Sequence, residues 1–477
     1  MRVIKSLTML LAAGVDVKAT EIVPIIVDPH QSNSDLKRTI DLLESYQAIH
    51  RQLPPQKQGF FKTKVTTLQN LVNARDRLGS AFSFQLKDVQ NEQFKDYIDH
   101  GSLNESNKAL INLLFSEENL ATEMDIGFIG NPNIGSVVLN QFKDSDEFAH
   151  FASNFQQDDR IFIISSIFGG TGAAGFPTIL KNLRNAQPPT PNHDWVRNAR
   201  VGAVTLLPYF GVMPDPNSKI DKATFISKAK AALSYYEHNI TGNRTINALY
   251  YLGDDTTKDY PNDPGESGQR NDAHFIELVA ALSVIDFMNM DASLLNTSNG
   301  RATQPIYKEF GIRNDEKLLD FTHLGDETQA IIEKPLSQYM LFTLYLSQQI
   351  PEYINKQPWT NRKSPKIDKA FLSSSFYQNH LTSFNHHFDN WLLELRNNRR
   401  SFAPFNTPVN PSRLFAFLNG IEPQKHWSPL KKDNFVLYDE ALNQAERQVN
   451  VTSVEQKFMR IFYRATKALM ERKFTNV

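Results

Sequence analysis

Residues 160–185 constrain the fold more than any other stretch. An apolar run from Arg160 to Ile167 passes directly into Phe168-Gly169-Gly170-Thr171-Gly172-Ala173-Ala174-Gly175 and then into a helical pattern. An isoleucine-rich run ended by glycines reads as a strand buried on both faces. The same succession recurs along the chain. Residues 21–27, 125–129, 201–207 and 248–252 read as further strands, and 34–50, 64–78 and 223–238 as helices. Pro24 must lie where no ladder donor is needed. Short strands alternating with helices predict an α/β fold with a doubly wound, mostly parallel sheet. Asn271 to Met290 reads as one long apolar helix. Beyond residue 300 the pattern turns helical, over 335–355, 377–398, 411–419 and 438–474, with little β signal outside 318–321. The expected organisation is an α/β domain over 1–270, a connecting helix over 271–292 and a helix-rich domain over 293–477.

Composition narrows the function classes. Fifty-one basic residues face fifty-two acidic ones, a net charge of −1. No global field draws nucleic acid or an anionic membrane to such a chain. Cysteine is absent, which excludes disulfides, thiolate nucleophiles and metal–sulfur centres and fits a reducing, cytoplasmic setting. No uncharged apolar run reaches about 18 residues, so no membrane span is expected. Arg2 and Lys5 before Leu7-Thr8-Met9-Leu10-Leu11-Ala12-Ala13-Gly14 imitate a short signal peptide. Val3, Leu7, Leu10 and Leu11 instead share one face of a helix. That helix has no cap residue before it and no strand leading into it.

Three junctions carry the candidate chemistry. Gly169, Gly170, Thr171 and Gly172 join a strand to a helix start. Glycines let backbone N–H groups approach an anion, and the helix terminus adds unpaired donors. The turn lacks the lysine of a P-loop and the GxGxxG spacing of a dinucleotide fold; a ligand-free strand-to-helix turn is the plain alternative. Gly130-Asn131-Pro132-Asn133-Ile134-Gly135-Ser136 likewise follows a strand and opens a helix, and an ordinary Asn-Pro turn is its plain alternative. Asp28 ends a strand. In open parallel sheets ligands collect at the carboxyl edge, so the three junctions converge on one crevice.

In this order the motifs resemble the nucleotide-binding domain of the tubulin/FtsZ superfamily. Gly169-Gly170-Thr171-Gly172 resembles its glycine-rich signature loop, and Gly130-Asn131-Pro132-Asn133-Ile134-Gly135 its GNPxIG loop near the terminal phosphate. Asp28 sits where the second loop lies, Pro208 in a Leu-Pro-Tyr-Phe stretch similar to the ribose loop, and Asp255 where a base-contacting Asn is usual. Asn271 and Asp272 match the start of the central helix, where a carboxylate reads guanine. The resemblance covers about residues 1–290. It implies a prokaryotic tubulin-like protein that binds GTP or GDP with Mg2+, forms homo-oligomers or filaments, and hydrolyses GTP at a subunit contact.

The chain also departs from the pattern. Phe168 replaces the first glycine of the usual triple, and Ala174 the last glycine of GGGTGTG. The family's first strand and first glycine loop have no counterpart, so the expected true start lies upstream, with Met1 internal. The nearest match to the family's NxDxxD hydrolysis loop is Val284–Asp291, where Asp286 and Asp291 read better as helix residues. Two rivals stay open: a non-hydrolysing nucleotide-binding scaffold in a multi-protein assembly, and a Rossmann-like NAD-binding domain. His386 and His387, with Asp389, make a poor chelate, because adjacent helical side chains diverge. The acidic stretch 254–266 lacks calcium-loop spacing. The basic, amphipathic last helix reads as docked on a core.

Overall fold

The computed structural model describes residues 1–28, 34–71, 82–84, 86–124, 128, 131–213, 222–255, 259–260, 272–310, 316–350, 354, 356–424 and 434–474. The chain opens with helix α1 (Arg2–Ala12), short strands β1 (Glu21–Ile22) and β2 (Ile26–Val27), helix α2 (Ser34–Arg51), and short strands β3 (Lys64–Val65) and β4 (Ser83–Phe84). β1 pairs in parallel with β3, and β2 with β4. The apolar run 21–27 is thus two strands rather than one. Pro24, which has no N–H for a ladder, falls in the gap.

Residues 64–78, expected as a helix, start as strand β3 and continue as a short 3-10 turn over Leu68–Leu71; residues 72–81 lie outside the described residues. Tertiary partners override the helical spacing. The Tyr46 hydroxyl donates to Thr63 O at 2.8 Å and Gln47 Nε2 to Val65 O at 3.1 Å. The strand expected over 125–129 lies, apart from buried Phe128, outside the described residues.

Helix α3 (Pro132–Leu139) precedes the βα core: β5 (Arg160–Ser166), α4 (Gly170–Arg184), β6 (Arg200–Leu206), α5 (Lys222–Tyr236), β7 (Ala248–Leu252), α6 (Phe275–Asn289) and β8 (Ile306–Phe310). The protein is an α/β fold whose central sheet is parallel throughout, in the order β8-β7-β6-β5. β8 gave no apolar signal. As an edge strand it keeps Tyr307, Lys308 and Glu309 in solvent, which also guards the edge against stray pairing.

One face of the sheet carries α6. A Cβ at Gly202 would lie 2.8 Å from the rings of Phe162 and Phe287, so the bare glycine lets α6 lie close. α1 packs on α6 in turn. On the other face α4 and α5 meet through Phe176 and Tyr236, ring centroids 5.1 Å apart. At the amino edge of the strands, buried Arg184 donates to Thr245 O, Arg197 O, Ala199 O and Asn247 Oδ1 at 2.6–3.2 Å. Burial pulls its pKa down to about 10. Arg160 donates to Phe287 O at 2.6 Å and Met290 O at 2.9 Å, capping the C-terminus of α6, where a cation is favourable.

The C-terminal half is built on α7 (Asp326–Gln348), α8 (Ser383–Asn397), α9 (Phe435–Gln448) and α10 (Val454–Lys473). The helix expected over 438–474 is two, because the chain reverses after Gln448 and Ser453 caps α10 through Gln456 N at 3.3 Å. A buried pair holds the hairpin to the preceding loop. Lys457 Nζ lies 3.3 Å from Glu446 Oε1 and donates to Lys363 O at 2.6 Å.

Candidate functional site

The glycine turn after β5, Pro208 after β6 and Asp255 after β7 lie at the carboxyl edge of the central sheet, whereas Asp28 ends β2 of the separate β2–β4 pair rather than a strand of that sheet. Gly169 occupies the N-cap of α4 without a side-chain cap, and Gly170, Thr171 and Gly172 form the first turn. Gly172 is required by packing: a Cβ there would lie 2.6 Å from Ser166 O and 2.9 Å from Ser166 N. The strand therefore turns into the helix over bare backbone, and the first N–H groups of the helix have no intrahelical partner.

α3 crosses α4 at the same end. A Cβ at Gly135 would meet Ala174 Cβ at 2.8 Å and Gly170 O at 3.2 Å, so the first turns of the two helices abut. Asn131 caps α3, its Oδ1 accepting from Asn133 N at 3.1 Å and Ile134 N at 3.4 Å, and Pro132 is the first helical residue. Gly135→Val should force the helices apart and destabilise the protein by about 1–3 kcal/mol. An unchanged denaturation midpoint would show that the crossing is looser than drawn.

Behind the glycine turn lies an aromatic wall that composition and spacing did not reveal. Phe168 meets Tyr209 and Phe210 edge-on, with centroids 6.1 and 5.4 Å apart. Tyr209 packs on His274 at 5.1 Å, and the Tyr260 hydroxyl lies 2.7 Å from His274 Nε2. The wall encloses an ion pair. Arg2 Nε sits 2.7 Å from Glu277 Oε1, with the glutamate side chain 1% exposed. Tyr209 donates to Glu277 Oε1 at 2.5 Å and accepts from Arg2 Nη2 at 3.0 Å. Glu277 Oε2 accepts His274 N at 3.0 Å, closing the cap of α6. Burial works against the Arg2 charge, but facing Glu277 and Tyr209 hold its pKa above the ordinary value. Burial raises the Tyr209 hydroxyl well above its usual range. Arg2 Nη1 is buried without a hydrogen-bond partner among the described residues. The Met1 amine, its pKa lowered by burial and by Arg2, lies in the field of Glu277 and Asp28.

These contacts place the expected residues. Asp28 follows β2, half-buried, and is linked to the cluster through Met1. Thr171 is half-buried in the turn, and Pro208 immediately precedes Tyr209. Asp272 precedes α6, which begins at Phe275 rather than at Asn271, and it acts electrostatically on Tyr260. Asp255 is exposed just beyond β7, its N–H donating to Asp254 Oδ1 at 2.7 Å. Gly130 and Asn271 lie outside the described residues. Direct contacts thus join the glycine turn, the Pro208 loop, the start of α6 and α1. The only local hint of the buried cluster was the His274-x-x-Glu277 spacing of a capping box. Its partners Arg2 and Tyr209 lie too far away in sequence to show.

The C-terminal half closes on this edge. Arg400 Nε bonds both Asp254 oxygens, at 2.8 and 2.9 Å, and the two side chains are 6% and 5% exposed. Glu394 Oε2 accepts from Ala273 N at 3.0 Å and from Lys5 Nζ at 2.8 Å. Asp286 and Asp291 have structural partners. Asp286 Oδ2 accepts from Tyr250 and Lys308, each at 2.6 Å, and Asp291 caps the turn at Ser293 N at 2.8 Å. Burial raises the Asp389 pKa to about 6, and among the described residues no three His or acidic side chains gather to hold a metal. Among the described residues no helix is long and apolar enough to cross a membrane. No family model, curated protein or solved structure matches the chain.

Proposed function

We propose that the protein binds a guanine nucleotide, as a divergent prokaryotic relative of the tubulin/FtsZ superfamily. The phosphates would lie over the abutting first turns of α3 and α4, and the base toward Asp272. The observation that carries this reading is the meeting of two helix N-termini, those of α3 and α4, at the carboxyl edge of a parallel sheet. Partial positive charge from the two helix N-termini suits a polyanion. Magnesium would come with the phosphates of GTP or GDP. Asp272, half-buried before α6, supplies a carboxylate suited to the paired donors of guanine.

Binding without turnover is the form favoured by the acidic residues. Asp286 and Asp291, nearest the family's hydrolysis motif, are committed to Tyr250, Lys308 and Ser293. A nucleotide-loaded scaffold, assembling with its own copies or with partners, follows from this; a hydrolysing filament is the competing outcome.

Titration calorimetry with GTP, GDP and NAD, with mass spectrometry of nucleotide carried through purification, tests the reading. Guanine nucleotides should bind and NAD should not. Heat from NAD alone would sink it. Thr171→Ala should weaken GTP by about 1.5–3 kcal/mol, roughly 10- to 100-fold in Kd, through one lost hydrogen bond to a charged group. Unchanged affinity would remove Thr171 from the site. Phosphate release and light scattering with GTP separate scaffold from filament.

A further inference from the structure

The C-terminal half contains a cleft of about 380 Å³ that the nucleotide reading does not use. Its volume is in the range of small-ligand sites, roughly 300–1,000 Å³. Leu318, Ala403 and Phe405 give it an apolar floor, and Arg396, Asn406 and Asn419 supply polar atoms. Leu318 is 60% exposed, a large apolar side chain left in solvent at the cleft.

The polar groups are set in a particular way. Arg396 Nη1 donates to Thr407 O at 2.7 Å and Thr407 Oγ1 at 2.8 Å. One arm of the guanidinium is thereby fixed, and the opposite edge, Nε with Nη2, remains as a fork for a carboxylate. Asn406 Nδ2 donates to Ala416 O and Leu418 O, each at 3.1 Å, and Asn419 Nδ2 to Ala403 O at 3.1 Å. Those carbonyl partners settle the amide orientations. The amide oxygens are then the groups that Asn406 and Asn419 can offer a ligand, and they accept hydrogen bonds.

Charge points the same way. Residues 396–413 carry four arginines, at 396, 399, 400 and 413, and no acidic residue, in a chain of net charge −1. Arg400 is occupied by Asp254; Arg396 faces the cleft.

We propose that this cleft binds the C-terminal end of a peptide chain. The terminal carboxylate sits on the free edge of Arg396. Main-chain N–H groups of the peptide donate to Asn406 and Asn419. An apolar last side chain rests on Leu318, Ala403 and Phe405. An anionic end, adjacent donors and an apolar side chain occur together at a peptide terminus, and capture of such ends is an established recognition mode.

Fluorescence polarisation with a fluorescein-labelled pentapeptide ending in Ala-Leu tests the proposal on the full chain, without nucleotide, so its result is independent of the nucleotide site. The free-acid peptide should bind saturably. The same peptide ending in an amide should bind about 10-fold or more weakly, since a charge-assisted pair is lost. Arg396→Gln, with an unchanged melting profile, should remove the difference between acid and amide. Leu318→Ser should weaken the free-acid peptide. Equal binding of acid and amide by the unaltered chain, or no saturation below about 1 mM, would overturn the assignment. So would an Arg396→Gln chain that still prefers the acid.

Discussion

Arg2→Met should destabilise the protein by about 3–5 kcal/mol, the cost of stranding a buried charge. Glu277 is 1% exposed and shares Arg2 with Tyr209 at 2.7 and 3.0 Å. Without the guanidinium, its carboxylate keeps hydrogen bonds from Tyr209 and His274 N but loses the cation that pairs with it. Chemical denaturation measures the effect. Because the cost lies in the unpaired charge, Arg2→Met with Glu277→Gln should recover about half of it. A double variant as unstable as the single would mean that Arg2 acts through packing on Phe210, whose ring centroid lies 5.6 Å from the guanidinium.

Arg400→Met should have a cost of similar size, about 3–5 kcal/mol, for the same reason. Asp254 would be left 5% exposed, with the Asp255 N–H as its remaining donor among the described residues. The effect should have a geographic signature. Arg400 also donates to Glu316 O, so its loss loosens both the end of β7 and the segment before residue 318. Hydrogen exchange should rise first around residues 252–255 and 316–319. Protection unchanged there, with loss elsewhere, would show that Arg400 does not hold the C-terminal half to the sheet edge.

Much of the sheet was legible, and for a physical reason. Strands β6 and β7 are short apolar runs because neighbours cover them, β5 keeps an apolar run although most of its residues are only half-buried at the end of the described sheet, and their glycine or proline ends mark the chain reversals. β8 was missed because its three central residues face solvent; Ile306-Tyr307-Lys308-Glu309-Phe310 carries no buried-strand pattern. Residues 64–65 were misread because two-residue pairing with β1 depends on a distant partner. The split between α9 and α10 was misread because helical spacing continues through the reversal after Gln448.

The glycine turn was equally legible, since Gly169, Gly170 and Gly172 stand together in sequence and the Ser166 backbone that Gly172 approaches lies only six residues earlier. The sequence by itself determined the alternation of strands and helices, the parallel sheet and the turn into α4. Only the tertiary structure decided what surrounds that turn: Arg2 against Glu277 and Tyr209, Asp254 against Arg400, and α3 against α4 at Gly135. Backbone periodicity is written in neighbouring residues, whereas a buried charge can be satisfied by any partner the folded chain brings near. Residues 2 and 277, or 254 and 400, have no sequence relation that would announce the pairing.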